Sequence, residues 1–263
     1  MIRKTVLYSK GSLIALICSA FVLASPSAHA EWNHGLGTGI LFMEVDGVTG
    51  LDTPMAGPVV FPIELDHDDT SDLIDTAIGF GGYATNGTLT VGYSFAQIEI
   101  VGGGIATVGP ATIDAAMNLD ITTGEVTLRF PIKQGESAVL EVIGGLRYLR
   151  HDMSTNFTSG GVMTGSSNLD NDWTDFLIGL TFDVRFAGNW IWATRLDVAS
   201  GDSETNTLVR TGFTRAFGRN WSASFNLTLQ DLEVGNARPG HSQYYFYDAD
   251  ETSFAVSFAY HWR

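Results

Sequence analysis

Ten charged residues fall at strand-like spacing: Glu125, Arg129, Glu141, Arg147, Asp175, Asp183, Arg185, Arg195, Asp197 and Arg210. Each takes the phase opposite to the large apolar residues around it, so a period of two gathers them on one polar face. Two arrangements suit such a face. Opposite charges that leave water must pair, which makes a salt-bridge network filling a narrow interior. The alternative is the lining of a pore. If Phe186 pairs with Trp190 across a short turn, Thr181 lies opposite Arg195 and Asp183 becomes its diagonal neighbour.

Other residues offer chemistry of other kinds. The stretch "ELDHDDTSD" brings together Glu64, Asp66, His67, Asp68, Asp69 and Asp72, hard oxygen ligands of the type that hold Ca²⁺. It lacks the glycine and distal glutamate of a helix–loop–helix calcium loop, and an acidic solvated loop is the plainer reading. His241–Ser242 and Asp66–His67 are the only hydrolase-like neighbours, and neighbours in a strand face opposite ways. No spacing joins a nucleophile to a base and an orienting group, so no catalytic site, resident metal or cofactor is expected. "GGG" at 102–104 has no helix after it and is no phosphate loop. "HSQYYFYDADE" clusters Tyr244, Tyr245, Phe246 and Tyr247, which reads either as a contact surface or as an upper aromatic girdle.

Strands must position these residues. "SFAVSFAYHWR" alternates Phe254, Val256, Phe258, Tyr260 and Trp262 with small or polar residues. The same alternation recurs and predicts about ten strands, near 36–45, 74–84, 88–100, 112–131, 138–150, 173–186, 189–199, 206–217, 221–231 and 252–262, with eight or twelve as alternatives. Within "AAMNLDITTGEVTLRF" the apolar phase switches from odd (Met117, Leu119, Ile121) to even (Val126, Leu128, Phe130), which predicts a β-bulge near Thr123–Gly124. Connections alternate in length. Short turns contain Thr85–Gly87, "KQGES", Ala187–Asn189 and Gly218–Asn220, and long loops are expected over 46–73, 101–111, 151–172, 200–205 and 232–251.

Composition narrows the class. Arg3, Lys4 and Lys10, an apolar run from Leu13 to Ala24 and a final Ala28-His29-Ala30 form a signal-peptide pattern over residues 1–30, leaving 31–263 as one domain. Removing those three cations from 14 Lys+Arg leaves 11 against 29 Asp+Glu, a formal −18, which argues against nucleic acid as a partner. The single cysteine, Cys18, lies in the leader, so no disulfide is expected in the rest. No later run is long enough for a transmembrane helix; a membrane form has to be a barrel.

Three features favour a membrane barrel over a soluble sandwich: aromatics at strand ends, alternating loop lengths, and a chain that stops inside its last strand. The ending resembles the C-terminal assembly signal of bacterial outer-membrane proteins, with Arg263 departing from the pattern by following the final aromatic. With "DWTDFLIGL", "FAGNW" and "FGRNW", it makes residues 138–263 similar to the small OmpA/OmpW-like outer-membrane barrels. The resemblance implies an all-β, up-and-down antiparallel transmembrane barrel in the bacterial outer membrane. In it Phe186, Trp190, Phe217, Trp221, Tyr260 and Trp262 form an aromatic girdle. Contact is expected with outer-membrane lipid, with lipopolysaccharide bridged to the acidic loop 64–72 by divalent cations, and with the barrel-assembly machinery through the last strand. The expected role is a structural or surface-interaction barrel with a filled lumen; a narrow solute pore or a membrane-embedded hydrolase are the alternatives. Oligomeric state is not readable from these residues.

Overall fold

A computed structural model of the chain describes residues 31–53, 57–65, 74–108, 111–236, 239, 241 and 244–263. The leader, most of the acidic stretch 64–72 and Ser242 lie outside the described residues, or have side chains outside them. The strands are β1 (Asn33–Thr53), β2 (Gly57–Leu65), β3 (Ile74–Thr85), β4 (Thr90–Val108), β5 (Ala111–Gln134), β6 (Ala138–Ser159), β7 (Val162–Phe186), β8 (Trp190–Gly201), β9 (Thr205–Phe217), β10 (Trp221–Asn236) and β11 (Tyr245–Trp262).

Sequence neighbours pair antiparallel except β2 and β3, which both pair with β1, and β11 returns to β1 over a seam from His34↔Trp262 to Leu51↔Tyr245. Closing β11 onto β1 joins the spanning strands into a ring without a free edge at membrane depth, which a membrane span requires. Eleven segments make ten positions. β1 pairs with β3 near one end (Thr38↔Phe80) and with β2 near the other (Val45↔Leu65). Extending the β3 register puts Ile74 opposite Glu44, next to Val45, so β2 and β3 fill one position in the wall.

Turn chemistry fixes the register at the short-turn end. In "FAGNW" and "FGRNW" the turn glycines Gly188 and Gly218 have φ of 78° and 62°, a region that side chains disfavour. These turns set Phe186 opposite Trp190 and Phe217 opposite Trp221. Thr181 consequently lies opposite Arg195. Short turns mark the periplasmic end of such barrels.

Two expectations about the wall are corrected. The first concerns the phase switch in β5. Pairing with β4 and β6 is continuous from Leu119 to Phe130, with no bulge at Thr123–Gly124. The strand does not change phase; its surroundings do. Leu119 and Ile121 are buried inside, whereas Leu128 and Phe130 are exposed outside. Toward the periplasm the apolar residues face lipid and the polar residues face the lumen. Beyond that level the apolar residues turn inward and the charged ones outward.

The second concerns the long loops. Most of 46–73, 101–111, 151–172 and 232–251 is strand, continuing the hairpins past the membrane. Above the membrane, alternation persists with inverted meaning: Met153, Thr155 and Phe157 are buried while Asp152, Ser154 and Asn156 are exposed. Strands of this length bury an apolar core inside the ring, which holds the hairpins upright.

The lipid-facing band predicts a graded response to charge. Ile178 is 63% exposed at mid-wall, opposite Val198 and Gly144. Ile178→Arg is expected to lower folding stability in phospholipid vesicles by about 2–4 kcal/mol. Ser166→Arg, farther along the same face and exposed above the band, is expected to cost less than about 1 kcal/mol. Equal costs in reversible unfolding titrations would place the band elsewhere.

Candidate functional site: a charged layer beneath an aromatic plug

The inward faces of β5, β6, β8 and β9 bring five of the ten charged residues together. Arg195 grips Glu125 across the lumen with two parallel bonds, Nη1 to Oε1 at 2.6 Å and Nη2 to Oε2 at 2.8 Å. Its Nε donates to Asp197 Oδ2 at 2.5 Å. Arg147 completes the square, with Nη2 at 2.7 Å from Asp197 Oδ1 and 3.0 Å from Glu125 Oε2. Its Nη1 donates to Asn206 Oδ1 at 2.7 Å. Each carboxylate thus meets two guanidinium groups. The Asp197 side chain is fully buried, and those of Arg147, Arg195 and Glu125 nearly so. Bidentate geometry is what makes charge pairs at this depth tolerable.

The fifth member, Arg210, stands directly opposite Arg195 on β9. Among the described residues its side chain donates one hydrogen bond, from Nε to Thr228 Oγ1 at 3.1 Å. The remaining expected residues are placed elsewhere. Arg129 and Glu141 form a separate pair at 3.3 Å, and Glu141 also accepts the Thr181 hydroxyl at 3.0 Å. Asp175, on β7, lies opposite Arg147 and reaches it through Asn206, but forms no ion pair among the described residues. It accepts the backbone N–H groups of Asp202 and Ser203 at 3.0 Å, the Ser203 hydroxyl at 2.7 Å and Asn206 Nδ2 at 2.9 Å, pinning the β8–β9 turn. Asp183 and Arg185 lie nearer the periplasmic end, beside a cavity of about 150 Å³, and form no ion pair among the described residues.

Above this layer sits an aromatic and aliphatic plug. Tyr245, Tyr247, Trp173, Met153, Leu232 and Leu51 are almost fully buried inside the ring. His151 sits among them, its ring 5.4 Å from Trp173, 5.8 Å from Tyr245 and 5.1 Å from Tyr247, all edge-on. Its Nδ1 shares a 2.6 Å hydrogen bond with the Tyr245 hydroxyl. Tyr247 donates to Glu251 Oε1 at 2.7 Å. Burial pushes the His151 imidazole down to about 3, so the ring is neutral throughout the ordinary range. The sequence reading of Tyr244–Tyr247 as a contact surface or upper girdle is therefore corrected: Tyr245 and Tyr247 face the interior and close it.

At the periplasmic end, Phe186, Phe217, Trp221, Tyr260 and Trp262 are exposed outward and Trp190 is half-buried. Trp221 and Tyr260 meet at 5.0 Å, Tyr260 stacks on Trp262 at 6.0 Å, and the Arg215 guanidinium lies over Trp190 and Phe217.

Several residues escaped the sequence reading. Asn206, Gln230 and Thr228 belong to the charged layer but carry no charge to flag them. His261 links Ser222 Oγ, 2.8 Å from Nε2, to Tyr83 Oη, 3.1 Å from Nδ1. The signal for Tyr83 was its odd phase, out of step with Ile78 and Phe80. This chain ties β3, β10 and β11 at the rim. His241 and Ser242 cannot be compared, since Ser242 is outside the described residues, as is the acidic stretch from Asp66 to Asp72.

Scans against protein-family models and curated proteins find no match. Solved barrels do match in fold. The outer membrane protease OmpT from Escherichia coli superposes with a TM-score of 0.52 at 9% identity, over 91% of this chain and 99% of that one. The translocator domain of the autotransporter NalP from Neisseria meningitidis superposes with 0.50 at 12% identity, over 98% and 99%. At such identities the likeness shows the fold alone. A protease and a translocator domain share it, so the fold carries no single activity.

Proposed function

We propose that this chain, an outer-membrane β-barrel, is a surface-interaction and structural barrel whose lumen is sealed by side chains. The observation that carries this reading is the plug: Trp173, Tyr245, Tyr247, Met153 and Leu232 are buried side by side inside the ring, directly above a square of paired charges. Ten strands are close to the size at which side chains fill the interior. The hairpins continue past the membrane with charged outer faces, which present a rigid surface to the outside. Lipopolysaccharide bridged through divalent cations is the proposed neighbour of those outward carboxylates, and the barrel-assembly machinery is the proposed partner of β11.

Purified barrel inserted in planar bilayers is expected to stay silent, with no stable conductance steps at moderate voltage. Reproducible discrete steps from the unmodified chain would favour the narrow-pore reading and overturn this one. Insertion is verified on the same sample by the shift in electrophoretic mobility between unheated and heated protein.

A further inference from the structure

Arg210 is the member of the charged layer that forms no ion pair among the described residues. Arg195 stands opposite it, and Arg195, Arg147, Glu125 and Asp197 form the paired square beside it. Both carboxylates are already held by Arg147 and Arg195. The third carboxylate beside the layer, Asp175, is taken up by Ser203 and Asn206. Arg210 is left without an ion pair among the described residues, and its cross-strand partner on β8 is another arginine. Like charges placed directly opposite destabilise a sheet. An uncompensated cation at membrane depth is costly unless something neutralises it.

Arg210 is accessible to such a partner. Its side chain points into the lumen yet remains exposed to water, unlike Arg147 and Arg195. Nε is used by Thr228, leaving the Nη fork without a protein partner among the described residues. Between Arg210 and the periplasmic rim the inward faces of β9 and β10 carry small residues: Gly212, Thr214 and Ala216, and Ser222, Ser224 and Asn226. Thr214 and Ser224 bond to each other at 2.8 Å. At the rim a cavity of about 730 Å³ opens, lined by Tyr83, Arg219, Asn220 and His261 among others. The apolar plug closes the other direction.

We propose that the periplasmic half of the lumen is a vestibule that binds a small oxyanion, held by the Nη fork of Arg210. A planar guanidinium with two parallel N–H groups matches the oxygens of phosphate, sulfate or a carboxylate in a way that a spherical halide does not. The anion gives Arg210 the direct counterion it lacks and screens it from Arg195. Arg219 at the mouth adds positive potential along the approach.

Isothermal titration of folded barrel in detergent tests this, with inorganic phosphate and sulfate as probes and chloride as the comparison. Saturable binding of phosphate or sulfate is expected, with chloride at least tenfold weaker and the affinity falling as ionic strength rises. Arg210→Gln is expected to remove at least tenfold of the oxyanion affinity while keeping the heat-dependent mobility shift of a folded barrel. Arg210→Lys, which keeps the charge but loses the fork, is expected to lie between. Absence of saturable binding to the unmodified chain, or Arg210→Gln binding as well as the parent, overturns the proposal. If Arg210→Gln does not fold, the thermal unfolding of the unmodified barrel decides. Phosphate has to raise the midpoint saturably above an equal ionic strength of chloride, and no such rise overturns the proposal. Neither outcome bears on conductance, so failure here leaves the sealed-lumen reading to its own test.

Discussion

Glu125→Gln is expected to cost the folded barrel about 3–5 kcal/mol, the penalty typical of breaking a buried pair from one side. Glu125 takes both Nη groups of Arg195 and the Nε and Nη2 of Arg147. Glutamine has nearly the same shape, so packing changes little. It replaces one acceptor oxygen by an N–H₂ donor aimed at guanidinium groups that are donors themselves. Asp197 is then the one carboxylate paired with Arg147 and Arg195, whose side chains are largely shut off from water. A control on the outer face separates burial from charge number. Arg150 and Asp152 form a 3.2 Å pair with side chains 41% and 51% exposed, and Asp152→Asn is expected to cost less than about 1 kcal/mol. Denaturant unfolding of both variants in the same vesicles reads the difference. Similar costs would falsify the assignment of the lumen network as a stabilising, desolvated unit.

The double replacement Tyr245→Ala with Tyr247→Ala is expected to convert a silent barrel into a conducting one. Both rings pack edge-on against His151, and both are essentially inaccessible. Each truncation is worth about 3–5 kcal/mol by analogy with other buried aromatics. Because the two share His151 as a neighbour, their effects are not additive. Removal also strips His151 Nδ1 and Glu251 Oε1 of their hydrogen-bond partners, so water is drawn into the cleared volume. The measurement is the frequency of conductance steps in planar bilayers, using only protein that keeps the heat-dependent mobility shift. A folded double variant as silent as its parent means that the seal lies elsewhere.

Strand positions and faces were legible because a period of two survives in almost every segment. What alternation cannot give is the sign of the environment on each face. Met117, Leu119 and Ile121 and then Val126, Leu128 and Phe130 form one unbroken strand that passes from an apolar interior to an apolar exterior. Read with a fixed outside, this looks like a bulge. For the same reason Met153, Phe157, Tyr245 and Tyr247 fell within expected loops, where they belong to inward faces of tall hairpins. The charged residues were legible as a set but not as pairs. Neighbour spacing put Arg195 beside Asp183, whereas a long side chain reaches Glu125 on β5, three strands away around the ring. Contacts across a lumen leave no trace in local periodicity. Asp175 shows the converse: its charge marked it for the network, and its geometry made it the anchor of a turn.

The level at which the wall changes sign acts as a waterline. Outward residues pass from Phe42 to Glu44 on β1, from Tyr148 to Arg150 on β6 and from Leu229 to Asp231 on β10. Just above it, Glu99, Asp120, Asp152 and Asp170 stand in a single row across four adjacent strands. Such a row sets the draught of the molecule. Sinking by even one pair of residues would submerge four carboxylates together in hydrocarbon, and rising would lift the girdle of Trp221, Tyr260 and Trp262 off its interface. A bilayer thicker or thinner than this freeboard allows must deform around the barrel, since the ring itself has no depth at which it could comfortably float instead.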